Sequence, residues 1–329
     1  MQDRYAGYIG DFGKIGLLKC LQAHGFTVGV NWYRVQTPDI EMKQDGTFKH
    51  DDGKFLIPDS ISECDSILAR ELTGIAKGNR SVVAIQNAAL IPNAVYYDEY
   101  LTVDGRTKWH EQAKKLFADV NLVFMDPDNG LLVKSVGKKS ARSVKYAFYE
   151  EVEDYIDSGK SVLVYNHRCR KPERKYFGDI EFKLQESLKV CRYMLQEITF
   201  PKGTIRDYFA IPACKEHYEM FHDAFADMKN SMWGKLGVCR LFPEWADAIY
   251  IKYRTYDEYV FLDIESKRFN ENCSFEDYKL DAIKYLKLSG YSEEDAKGLV
   301  KNYMTFLAES YEKKEPVANP TIDIAYLCG

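Results

Sequence analysis

Apolar positions along the chain alternate between helical and strand-like periods. In GKIGLLKCLQAHG (13–25), Ile15, Leu17, Leu18 and Leu21 share one side of a helix that stops at Gly25. FTVGVNWYRV (26–35) is β-rich and reads as a strand. The polar stretch 36–59, with Pro38, Gly46, Gly53 and Pro58, reads as a loop. SISECDSILARELTGIAKG (60–78) has helical spacing behind Ser60 as a cap, and SVVAIQNAAL (81–90) reads as a second buried strand. RTKWHEQAKKLFADV (106–120) predicts a helix, NLVFMD (121–126) a third strand, SVKYAFYEEVEDYIDSGK (143–160) a helix and SVLVYNH (161–167) a fourth strand.

Strands that alternate with helices at this spacing predict βαβ units and a parallel sheet. The pattern then changes. Residues 178–230 read as mainly helical, and DAIYIKYRTYDEYVFLDI (247–264) holds two β-rich runs around Thr255 to Asp257, a hairpin that would close the sheet. Residues 274–290 and 291–314 are two amphipathic helices, each opened by a capping box, Ser274/Asp277 and Ser292/Asp295. The expected fold class is α/β: a Rossmann-like, mainly parallel sheet closed by an antiparallel hairpin, with a C-terminal helical appendage. The expected domains are 1–268, with a helical insertion at about 178–230, and 269–329.

Composition adds limits. With 46% hydrophobic and 29% charged residues the chain matches ordinary soluble proteins. No apolar run approaches the ~20 residues of a membrane span, and MQDRYAGYIGDFGK lacks the apolar core of a signal peptide, so the expectation is a cytoplasmic protein with no membrane partner. Eight cysteines form no CxxC and no zinc-spaced pairing with His, so no metal is expected. A net charge of −5 weighs against nucleic acid, although a local basic stripe can carry the opposite sign.

In an open parallel sheet, ligands bind outside the carboxyl ends of the strands. The four predicted ends carry Asn31-Trp32-Tyr33-Arg34, Gln86-Asn87, Asp126-Pro127-Asp128-Asn129 and Tyr165-Asn166-His167-Arg168. YIGDFGKIGLL (8–18) sets Asp11 and Lys14 among glycines, which suits either phosphate contact at a helix start or a tight turn with Lys14 on the surface. His50, Asp51 and Asp52 sit together before Gly53, as a metal or proton-sharing group or as a solvated acidic turn. Two basic stretches follow strands on this edge: 134–145, with Lys138, Lys139 and Arg142, and 168–175, beginning at Arg168. A basic rim around a polar pocket fits a phosphate-rich substrate.

The segment G-D-F-G-K…L-L-K, the following strand and Asp126-Pro127 at a later strand end resemble the Rossmann-like bacterial enzymes that methylate an adenine amino group in ribosomal RNA. Those enzymes carry Asp-Pro-Pro-Tyr at that strand end. The resemblance implies S-adenosylmethionine as cofactor and the Asp-Pro turn as the holder of the target amino group. Here Asp128 and Asn129 replace the second Pro and the aromatic, no glycine turn follows the first strand, and AIQNA offers no acid for ribose hydroxyls. MDPDNG is also similar to the Asp-Pro motif of uracil-DNA glycosylases over Asp126, Pro127 and Gly130. That likeness implies a cofactor-free reaction in which Asp126 activates water, Asn129 reads the base and His167 serves the departing base.

The reading placed first is therefore hydrolytic excision of a flipped base from nucleic acid, with DNA preferred, without a cofactor. The candidate catalytic residues are Asp126, Asp128, Asn129 and His167. Asp11, Lys14, Asn31, Trp32, Tyr33, Asp52, Tyr165, Arg168, Lys138, Lys139 and Arg142 are the candidate substrate contacts. Methyl transfer from S-adenosylmethionine comes second. A metal-dependent nuclease or a non-catalytic nucleic-acid-binding protein, with Asp51, Asp52, Asp126 and Asp128 as oxygen ligands, comes third.

Overall fold

The computed structural model describes residues 1–36, 55–171, 195–241, 273–288 and 291–315, and single positions near 176–184 and 317–324. Two compact units emerge, Met1–Glu181 with Leu195–Glu244, and Phe182–Met194 with Trp245–Gly329.

The first unit is α/β. Its sheet comprises β1 (Val28–Asn31), β2 (Val95–Tyr97), β3 (Leu122–Met125), β6 (Ser161–His167), β7 (Gln196–Phe200), β8 (Arg206–Ile211) and β9 (Arg240–Leu241). The order is β2-β1-β3-β6-β8-β7-β9. β1 pairs parallel with β2 and β3, and β3 parallel with β6. β8 then runs antiparallel between β6 and β7, and β9 antiparallel to β7. A second, two-stranded parallel sheet joins β4 (Gly130–Leu131) to β5 (Tyr146–Ala147).

Alternation along the strands sorts side chains onto two faces. Val28, Val30, Leu122, Phe124, Leu163, Ile198, Phe200 and Tyr208 lie in the core that includes α1 (Ile9–Ala23). Gly10, Gly13 and Gly16 give α1 its close approach: a Cβ on them would fall 2.9 Å from Arg206 Nε, 2.6 Å from Phe200 and 2.5 Å from Trp233. On the other face Gly29 makes room for Phe117, whose ring neighbours Tyr155. Phe117 closes α5 (Arg106–Leu116) and Tyr155 belongs to α6 (Tyr149–Asp157), so these helices cover that face.

Several expectations are corrected. Residues 81–90 are not a strand: after α2 (Asp59–Ser62) and α3 (Ser66–Lys77), Val82–Asn87 form α4. Ser81 caps it by accepting from the Ala84 amide, and Val82 and Ile85 are buried at helical spacing. The second strand is the short Val95–Tyr97. The helix expected over 143–160 is confined to 149–157, because Tyr146–Ala147 pair with β4. Ahead of α7 (Lys215–Asn230) and α8 (Met232–Lys235), the helical stretch expected at 178–230 is interrupted at 196–200 and 206–211 by β7 and β8. Their turn at 201–205 uses Gly203 at φ +77°. This hairpin is the antiparallel closure, whereas 247–264, expected to supply it, lies outside the described residues.

In the second unit α9 (Phe275–Leu288), α10 (Glu293–Asn302) and α11 (Met304–Glu312) bury Tyr278, Tyr285, Leu286, Ala296, Val300 and Leu307 together. The first capping box forms, with Ser274 and Asp277 exchanging bonds, and at the second helix Ser292 caps by accepting at Oγ from the Asp295 amide at 3.1 Å. The helix expected over 291–314 is two helices divided at Tyr303. Among the described residues, no helix is long and apolar enough to cross a membrane.

Candidate functional site

The chain leaves β1 for β2 on one side and returns with β3 on the other. The crevice outside the carboxyl ends of β1 and β3 is therefore the topological switch point of the sheet. Two polar clusters occupy it, one on each face.

On the α1 face, Lys14 is buried and bridges two carboxylates, Asp11 Oδ1 at 2.9 Å and Asp126 Oδ2 at 2.7 Å. Asp11 Oδ2 also accepts from the Gly7 amide at 2.9 Å, and the Lys14 ammonium lies 5.3 Å from the Trp32 ring centre. Lys14 is thus neither the surface lysine nor the free phosphate contact expected: two acids around one base leave the trio one negative charge in excess. The carboxylates beside Lys14 hold its pKa above the ordinary lysine value against the opposing effect of burial. Burial pushes the Asp126 carboxyl above the ordinary aspartate value despite Lys14. Tyr165 and the fully buried Tyr208, cross-strand partners on β6 and β8, approach the trio, and both phenols are pushed up by burial. Tyr165 Oη reaches His167 Nδ1 at 3.2 Å. Burial and the Arg206 guanidinium lower the His167 pKa, which favours the neutral ring.

On the opposite face, Arg106 and Glu151 form a bidentate pair at 2.6 and 2.7 Å. Arg106 also donates to the carbonyls of Ser143 and Tyr146, and Glu151 Oε2 accepts from Tyr33 Oη and the Phe148 amide, each at 2.9 Å. Tyr33 adopts φ +45°, a strained region for a bulky side chain, and this network holds it there. Asn31 donates from Nδ2 to Tyr155 Oη at 3.4 Å on the same side.

The turn after β3 is fixed at several points. Asp126 N donates to the Asn31 carbonyl, and Asn129 N to the Lys145 carbonyl. Asp128 accepts from Gln2 at 2.5 Å and pairs with the Met1 α-amino group at 3.1 Å, and these partners hold its pKa below the ordinary value against burial. Gly130 sits at φ +105°, where a Cβ would fall 2.0 Å from Asn166 Oδ1. Asn166 meanwhile accepts from the Leu131 amide at 2.8 Å. The Asn129 carbonyl accepts from the His167 amide, which joins the β3 turn to the end of β6.

Of the expected site residues, Asp11, Lys14, Trp32 and Asp126 come together, Tyr165 links them to His167, and Asn129 adjoins His167. Asn31 and Tyr33 belong to the opposite face. Arg168 is held by Asp207, from Nε to Oδ2 at 2.9 Å, and packs on Tyr176 and Phe177, so it is a packing residue. Gln86 and Asn87 lie on α4 rather than at a strand end. Lys138, Lys139 and Arg142 are exposed on the loop from β4 to β5, with Lys138 paired to Glu150. Asp52, with His50 and Asp51, lies outside the described residues. Among the described residues no three His, Cys, Asp or Glu side chains could hold a metal ion. Sequence reading missed Arg106, Glu151, Arg206 and Tyr208, which occur as single residues with no motif around them.

No protein-family model matches this chain, no curated protein does, and no solved structure does.

Proposed function

We propose that this protein hydrolyses a base from nucleic acid without a cofactor, at the α1 face of the switch point. The observation that supports this reading is a continuity of chain. The turn bearing Asp126 runs through β4 directly into the segment joining β4 to β5, which carries five basic residues, Lys134 to Lys145, and no acid; of these Lys134, Lys138, Lys139 and Arg142 are exposed. A polyanion on that loop would bring one flipped base to the Asp126 cluster.

In this reading Asp126 is the general base, its raised pKa moving the carboxyl toward the range where it can take a proton from water. Lys14 is a positioning residue that fixes the carboxylate. Asn129 offers its carboxamide to the base edge, and the neutral His167, oriented by Tyr165, offers a hydrogen bond to the departing base. Asp128 is tied up by Met1 and Gln2 and serves the turn rather than the reaction.

Methyl transfer is the second reading, favoured by an Asp-Pro turn beside β1 at the switch point. Against it, β1 is followed by the fully buried Trp32 and Tyr33 rather than by a glycine turn open to a nucleoside. The two readings separate experimentally. Incubation with oligonucleotides carrying natural and modified bases should release free base and leave abasic sites with the wild type and not with Asp126→Asn. Calorimetric titration with S-adenosylmethionine should give flat heats. Saturable 1:1 binding with no abasic product would replace hydrolysis by methyl transfer.

A further inference from the structure

Residues 1–7 lie in the switch-point crevice itself, where an open α/β sheet takes its ligand. The Met1 nitrogen donates to the carbonyls of Trp32 and Tyr33, after β1, and of Asp126, after β3, at 3.0, 2.9 and 3.2 Å. The Val35 amide donates to the Met1 carbonyl at 3.1 Å. Gln2 is wholly buried and holds Asp128 through Nε2. Asp3 accepts from Arg34 Nη2 at 3.1 Å and from the Val82 amide at 2.9 Å. At the far end the Gly7 amide reaches Asp11 Oδ2. The segment is thus tied at one end to the turn bearing Asp126 and at the other to the acid that shares Lys14 with it. Asp11, Lys14 and Asp126 are only 2%, 5% and 3% exposed. A base cannot touch Asp126 while residues 1–7 keep this place.

The segment carries local costs that mark it as the part able to move. The Asp128 carboxylate, an acceptor, fixes Gln2 Nε2 toward itself, which leaves Gln2 Oε1 buried with no hydrogen-bond partner among the described residues. A buried acceptor without a donor is unfavourable. Tyr33, whose carbonyl accepts from Met1, stands at the strained φ of +45°. Apolar anchoring over residues 1–6 is confined to Met1 and Ala6, since Tyr5 is 40% exposed. Few buried apolar contacts mean a low free energy of local opening. Gly7 supplies the pivot, at φ +82°. A Cβ there would fall 2.5 Å from the Leu72 carbonyl oxygen, so the pivot itself is seated against α3.

We infer that residues 1–6 form a strap that closes the Asp126 site and swings about Gly7 to admit substrate. That the strap regulates base excision rests on the function proposed above; that it opens does not.

Two measurements on the full chain test the opening. The first is carboxyl labelling with a water-soluble carbodiimide and glycine ethyl ester, read by mass spectrometry. Asp3→Ala removes the bonds to Arg34 and Val82 and lies outside the reacting cluster. It should raise labelling of Asp126 about tenfold, as expected when a charge-assisted hydrogen bond is lost. Glu151, equally buried on the opposite face, should label as in the wild type. The second is hydrogen exchange of the wild type, which stands whether or not Asp3→Ala folds. The Ala6 and Gly7 amides should exchange at least tenfold faster than those of β3. Equal Asp126 labelling in Asp3→Ala and wild type with Glu151 still protected, or exchange of Ala6 and Gly7 in step with β3, overturns the strap. Base release is then compared. Faster release in Asp3→Ala, in proportion to Asp126 labelling, supports the gate. Unchanged or slower release beside faster labelling overturns it. No release from either protein beside faster labelling leaves the strap standing and overturns the hydrolytic reading.

Discussion

The two faces of the switch point hold buried ion clusters of opposite character. On the α5–α6 face, Arg106 and Glu151 direct their donors and acceptors to one another, to two carbonyls, to Tyr33 and to the Phe148 amide. Charges balance there, and the cluster locks the chain after β1 to the start of α6. On the α1 face, two acids share one lysine. The same edge thus contains a charge-balanced cluster that fits a structural role and an unbalanced one that fits the proposed chemistry. Burial alone does not separate them, since both are almost wholly enclosed. What separates them is the charge left over: none in the Arg106–Glu151 pair, one negative charge among Asp11, Asp126 and Lys14.

The largest expected effect falls on the charge-balanced side. Glu151→Ala leaves Arg106 buried without its carboxylate and should cost about 3–5 kcal/mol in urea unfolding. A loss under about 1 kcal/mol would remove the structural assignment. Asp126→Asn should cost less, about 1–3 kcal/mol, because Lys14 keeps Asp11. Its pH signature is distinctive. The folded pKa of Asp126 is raised, so the folded state binds the proton more tightly than the unfolded chain does. Acidification through that folded pKa, down to the unfolded value near 3.8, should therefore stabilise the wild type relative to Asp126→Asn. Asp128, with its lowered pKa, acts in reverse: its stabilisation is present above 3.8 and is lost as the pH falls through the folded value.

Smaller effects sharpen the contrast. Reversing Lys138, Lys139 and Arg142 to Glu should change stability by less than about 1 kcal/mol, since these are exposed positions. It should weaken nucleic-acid binding and reduce the salt slope by roughly 0.7–0.9 for each phosphate that the loop ceases to neutralise. An unchanged slope would detach the basic loop from the proposed site. The smallest effect is at His167, whose pKa by NMR should lie below 6.5 and rise in Arg206→Gln. Its stability contribution is present above 6.5 and is lost as the pH falls toward the folded value.

Parts of this arrangement were legible along the chain. The run SVLVYNH is β6 to the residue, and NLVFMD brackets β3, because a strand buried on both faces reads as a continuous apolar run. The same rule misreads SVVAIQNAAL, where the Ser81 cap and i, i+3 burial make a helix from β-branched residues. The hairpin Gln196–Ile211 was missed because charged residues such as Glu197, Arg206 and Asp207 break up its apolar pattern. All three are buried, and Asp207 is held there by Arg168 and Thr199. Asp126 and Lys14 were each singled out from local motifs. Their pairing across 112 positions, which converts Lys14 from a phosphate contact into a carboxylate clamp, exists only in three dimensions.

The central claim is that the unbalanced Asp11–Lys14–Asp126 cluster acts on substrate and the balanced Arg106–Glu151 cluster holds the fold. The direct measurement is base release from an oligonucleotide by Asp126→Asn and Glu151→Gln, at a temperature where both remain folded by circular dichroism. The account predicts a loss of about a hundredfold or more for Asp126→Asn and near wild-type release for Glu151→Gln. Activity retained in Asp126→Asn, or lost only in Glu151→Gln, would contradict it.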